Sequence, residues 1–160
     1  MQATPQKEHQ WLEQLIGTWA FEGECSMGPD QPPMKSTGTE VVRSLGGLWT
    51  IGDIEGEMPG CGECKSIMTL GFDPQAKRFV GTFIASVMTH LWVYSGSLDA
   101  TGKVLTLDTE GPSCADDTKM VRYQDIITFV SDDHRTLTSR FQGDNGQWQQ
   151  FMTAQYRRKR

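Results

Sequence analysis

Four cysteines and one aromatic strand hold most of the chemistry this sequence could perform. Cys61 and Cys64 stand in "PGCGECKSI", spaced as a tight loop would offer two thiolates to one zinc ion. Cys25, Cys114 or His90 would complete the tetrahedral set. Thiol redox chemistry uses the same spacing, but it wants the first cysteine at a helix N-terminus, where the dipole lowers its pKa. Here the pair lies in a glycine-rich connector. A third reading, reduced thiols with no shared task, stays open because a single CxxC has no partner motif.

In "HLWVYSG", His90, Trp92 and Tyr94 alternate onto one face, opposite Leu91 and Val93. A histidine on such a face can hydrogen-bond a ligand or move a proton near neutral pH. Asp53 and Asp125 are the carboxylates considered as its partners. Two charges also fall on apolar faces, where an unpaired charge is costly. Arg43 alternates with Val41 and Leu45, and Asp125 with Tyr123 and Ile127. Read as inward, Arg43 would anchor a ligand carboxylate, and Asp125 would pair with it or with another arginine. The expected lining is Trp49, Met88, His90, Trp92, Tyr94 and Tyr123, with Arg43 as the polar anchor. The alternative turns these side chains outward. No Ser-His-Asp elbow, HExxH, P-loop or dinucleotide fingerprint occurs, so no reaction is indicated.

These residues are positioned by one helix and a run of strands. In "PQKEHQWLEQLIG", Trp11, Leu12, Leu15 and Ile16 form one apolar stripe, which predicts a helix over about 6–16. Beyond Gly17 the period is two. About ten strands are expected, near 18–26, 37–45, 48–55, 65–73, 78–86, 90–98, 103–110, 119–130, 135–143 and 147–157. Turn chemistry such as "GG" at 46–47 and "GDNG" at 143–146 makes most connectors hairpins. A long antiparallel meander hides one face and both edges by closing, so a closed all-β barrel with one N-terminal helix is the expected fold. A two-sheet sandwich is the alternative. Parity puts the longer connectors 27–36, 56–64 and 111–118 on the rim opposite the helix, together with all four cysteines. A ligand would enter there.

The segments "LIGTWAFEGE", "GFDPQAKRFVGTFIASVMTHLWVYSGSLDATGKVLTL", "DDHRTLTS" and "YRRK" resemble a bacterial family known as domain of unknown function 1579. A short helix followed by "GTW" also resembles the opening of calycins, the lipocalins and their relatives. That resemblance implies a barrel whose lumen holds a small apolar molecule. It also implies a cation–π contact of Arg158 on Trp19 at the closed end. Haem is not implied, because the late histidine, His134, falls in a turn.

At 160 residues the chain makes one domain, and a net charge of −5 excludes general nucleic-acid binding. The basic ending "YRRKR" reads as a strand end with a basic tail. The polar start, "MQATPQKEHQ", predicts no secretory leader and a cytoplasmic setting with reduced thiols. The function expected is lumenal binding of a small apolar or amphipathic molecule. An enzyme using His90 and a homodimeric structural module are the alternatives.

Overall fold

The computed structural model describes residues 2–26, 28–58 and 62–160. A short helix α1 (Lys7–Leu12) runs into a 3-10 turn (Glu13–Leu15). Ten strands follow: β1 (Gly17–Cys25), β2 (Met34–Leu45), β3 (Trp49–Met58), β4 (Gly62–Asp73), β5 (Arg78–Ala85), β6 (Trp92–Leu98), β7 (Val104–Pro112), β8 (Met120–Ser131), β9 (His134–Gln142) and β10 (Trp148–Arg158). Each strand pairs antiparallel with its chain neighbours, and β10 returns to β1, so the barrel is closed and has no edge.

The tight turns lie at the helix end. Gly46 and Gly47 take φ of 67° and 73°, left-handed backbone that glycine adopts readily, in the three-residue connector between the paired Leu45 and Trp49. β3 and β4 run further than their alternation suggests, to Met58 and from Gly62, so the expected connector 56–64 is largely strand. Residues 59–61, including Cys61, lie outside the described residues.

The helix stoppers the lower end. Leu12 and Leu15 are fully buried, and Trp11 meets Phe79 and Phe129 edge-on at 5.8 and 5.7 Å. Trp11 Nε1 donates to the Gly102 carbonyl at 2.6 Å, tying the helix to the β6–β7 turn. His9 is buried too. It accepts from the Gln6 amide at Nδ1, and its Nε2 donates to the Phe72 carbonyl at 3.2 Å.

Above the helix, the expected contact of Arg158 with Trp19 is present. The guanidinium carbon sits 4.2 Å from the indole centroid, in register with Trp19 across the β1–β10 seam. Arg158 donates to the carbonyls of Ile16 at 2.6 Å, Gln14 at 2.8 Å and Asp132 at 3.1 Å. One side chain thereby joins the helix exit, the first strand, the last strand and the β8–β9 turn. Gly17 permits this approach. Its φ is 134°, and a Cβ there would stand 2.5 Å from Arg158 Nη1. Arg158→Ala is expected to cost on the order of 3 kcal/mol in urea unfolding, from one cation–π contact and several charge-assisted bonds to backbone.

Candidate functional site

Inward faces follow from the pairing register, because residues opposite one another across a ladder share a face. In the lower half the inward side chains are closely packed. Trp19, Val42, Thr50, Leu70, Leu105, Ile127 and Phe129 are all buried. Among them sits an ion pair: Arg135 Nη2 donates to Glu40 Oε1, both side chains being almost fully enclosed. The Arg135 guanidinium also lies 4.7 Å from the Trp19 centroid and 4.2 Å from that of Tyr156. The Glu40 carboxylate occupies the space where Gly52, diagonal to it on β3, would carry a Cβ, so glycine suits that position. Beside the pair is a void of about 20 Å³, lined by Leu15, Thr50, Met68 and Ile127 among others, with room for about one water.

The next layer up is polar. Asp125 accepts from Tyr94 Oη at 2.5 Å and from Ser139 Oγ at 2.6 Å, so its expected inward position is observed with hydroxyl partners in place of an arginine. Burial pushes its carboxyl above the ordinary aspartate range, outweighing the two hydrogen bonds that act the other way. Burial likewise pushes the Tyr94 phenol well up, and the neighbouring Asp125 charge adds to it. Asp125 is part-buried, between the buried Tyr123 and Ile127 of the same face.

The upper lumen is aromatic. His90 meets Trp92 edge-on at 4.7 Å, Trp92 meets Tyr123 at 5.1 Å, and Tyr123 meets Phe151 at 6.0 Å. Trp92 Nε1 reaches Met88 Sδ at 3.1 Å, and His90 Nε2 donates to the Glu110 carbonyl at 2.9 Å. Tyr123 Oη donates to the Pro112 carbonyl at 2.6 Å, which pins the strand end preceding the β7–β8 loop. Phe21, Ile54, Phe83 and Met152 face the same space and are only part-buried.

Five of the seven expected lining residues, Met88, His90, Trp92, Tyr94 and Tyr123, therefore gather on one side of the upper barrel. The other two do not. Arg43 is exposed on the outer wall with Val41 and Leu45, while the inward residues of β2 include Gly38, Glu40 and Val42. Trp49 is 41% exposed and lies outside, its ring covering Gly71. The interior arginine is Arg135, with Glu40 as its partner. A charged residue among Thr and Leu in "HRTLTSRF" was the signal available for it. His90 bonds a carbonyl and neither proposed carboxylate, and Asp53 is on the outer wall.

Cys25, Cys64 and Cys114 all lie at the upper end. Cys64 is within β4 opposite Gly56. The Cys114 thiol lies 3.8 Å from Tyr123 Oη. Burial pushes the Cys25 thiol up, and the Cys114 charge adds to it. Among the described residues no three His, Cys, Asp or Glu side chains are grouped to hold a metal ion. Among the described residues no helix is long and apolar enough to cross a membrane.

A closed ten-strand barrel plugged by a helix, with an ion pair at its floor and aromatics at its mouth, defines the class. The sequence profile of the family described as "Protein of unknown function (DUF1579)" matches residues 4–158, and the chain belongs to that family. No curated protein matches the sequence. Among solved structures, the chain is similar to Rv2717c from M. tuberculosis, with 14% identity and a TM-score of 0.62 over 98% of this chain and 100% of that one. It is also similar to the S-type phycobiliprotein lyase CPES from Guillardia theta, with 12% identity and a TM-score of 0.65 over 97% and 94%. A third similar structure is EF1p2_mFAP2b bound to DFHBI, with 15% identity and a TM-score of 0.51 over 94% and 98%. At these identities the likeness is one of fold.

The raised Asp125 carboxyl has a consequence for stability. A carboxyl that holds its proton more tightly folded than unfolded makes the native state bind more protons between the two pKa values. Stability then falls as pH rises from the ordinary aspartate value, about 3.9, through the folded one. Urea unfolding across this window should show that descending contribution in the native chain. It should be absent in Asp125→Asn.

Proposed function

We propose that this barrel binds a small apolar or amphipathic molecule in the upper lumen, entered between the connectors 28–33 and 113–119. The observation that carries the reading is residual surface inside the closed barrel: Phe21, Ile54, Phe83, Asp125, Phe141 and Met152 face the interior and are only part-buried, although Tyr94, Thr109, Tyr123 and Ser139 among them are buried. A packed interior leaves no such surface. Apolar walls with a few convergent polar groups are the general composition of small-molecule sites. A groove of about 210 Å³ at the rim, between the end of β1, Gln31, Pro33 and Phe151, adjoins the entrance. A barrel of this shape holding DFHBI supports the reading by analogy.

Native mass spectrometry of protein purified from its own host should show a retained adduct of small-molecule mass. Ser66, inward and part-buried in β4, is the place to block it. A Ser66→Trp variant with an unaltered far-UV circular dichroism spectrum should lack the adduct. A bare native chain that also fails to bind the neutral fluorophore N-phenyl-1-naphthylamine overturns the reading.

A further inference from the structure

The charges inside the lumen do not balance. Glu40 and Arg135 neutralise each other, and the Trp19 and Tyr156 rings lie against the guanidinium. Asp125, higher up, has only hydroxyls as hydrogen-bond partners, from Tyr94 and Ser139, and among the described residues no lysine, arginine or histidine forms an ion pair with it. Two single hydrogen bonds leave a carboxylate with acceptor capacity to spare. Asp125 is opposite Leu107 on β7, and Thr109 is the next inward residue of that strand towards the mouth. Thr109 is buried, and its hydroxyl has no hydrogen-bond partner. A buried hydroxyl without a partner, opposite Tyr123 and one inward step along β7 from the residue facing an under-filled carboxylate, is a polar site awaiting a donor.

Resting on the lumenal reading above, we infer that the lumen selects ligands whose polar end donates hydrogen bonds, above all a protonated amine on an apolar body, and disfavours carboxylates. An ammonium placed between Asp125 and Thr109 would donate to both, with the third proton towards an aromatic face, where a cation is attracted by the ring quadrupole. It would also supply a charge partner to a carboxyl that burial holds high. A carboxylate ligand meets the opposite situation. Arg135, in the layer below, is already engaged by Glu40, and a second anion near Asp125 is repelled in a medium of low dielectric. The chain's net charge of −5 draws cations towards the protein and acts in the same direction.

Three ligands with one body and different heads test this: octylamine, octanol and octanoate, each displacing N-phenyl-1-naphthylamine at neutral pH and below micelle-forming concentration. The expected order is amine, then alcohol, then acid, with at least about tenfold between the first and last. Asp125→Asn should bring octylamine down to the octanol level. Glu40→Gln, which releases Arg135, should raise the affinity for octanoate. Both variants are checked for folding by cooperative thermal unfolding, and either result alone decides. Octanoate binding as tightly as octylamine, or an amine preference that survives Asp125→Asn, overturns the inference while lumenal binding stands. If the fluorophore itself does not bind, the lumenal reading falls and takes the inference with it.

Discussion

The interior of this barrel is organised by one buried ion pair. Glu40 and Arg135 come from strands almost a hundred residues apart in sequence, and each would be costly to enclose alone. Together they require a floor that fits them: Gly52 makes room for the carboxylate, and Trp19 and Tyr156 cover the guanidinium. Trp19 in turn accepts Arg158, which clamps the last strand to the helix exit. Remove either member of the pair, and the other is left as an unpaired charge in a water-poor space. The layer thus divides the lumen. Above it, Phe21, Ile54, Phe83 and Met152 keep accessible surface, while Tyr94, Thr109, Tyr123 and Ser139 are buried among them.

Much of this fold was legible in the chain. Ten runs of period two, bounded by Gly, Asp and Asn turns, allow few arrangements other than a meander, and "GTW" with a late arginine marks the seam where it closes. The contact of Arg158 with Trp19 followed from a resemblance, and its hydrogen bonds to three backbone carbonyls explain why that position needs an arginine rather than a lysine. Asp125 was legible as well, since its flanking Tyr123 and Ile127 are both inward and buried.

The face of β2 was not legible, and the cause is physical. Alternation is read on the premise that the apolar set faces the core. In β2 the outward set is Val41, Arg43 and Leu45, whereas the inward set contains Gly38 and Glu40. The Phe21 ring lies against Gly38, with its Cζ atom 2.5 Å from where a Cβ would be. A long aromatic side chain from β1 thus fills the space that residues of β2 would otherwise occupy, and glycine becomes the correct inward residue. Trp49 was misplaced for a related reason, because its partner across the ladder is the small Gly71 and its ring lies flat on the outer wall. Hydrophobicity alone cannot distinguish a core residue from one that shelters a glycine outside.

The same reasoning separates what holds the barrel from what would choose its cargo. The helix plug, the Trp19 clamp and the ion pair all lie at one end, and nothing in their chemistry bears on which molecule could enter at the other. Barrels of very different sequence share this outline, as identities of 12–15% across nearly the full chain require. On the proposed lumenal reading, selectivity would come from the inward residues of β6 to β9 above the ion pair, where Tyr94, Thr109, Asp125 and Ser139 are polar groups among aromatic neighbours. Substituting any of these leaves the seam and the plug untouched. An interior built this way can exchange one ligand chemistry for another by changing a few side chains, without altering the strand register that encloses them.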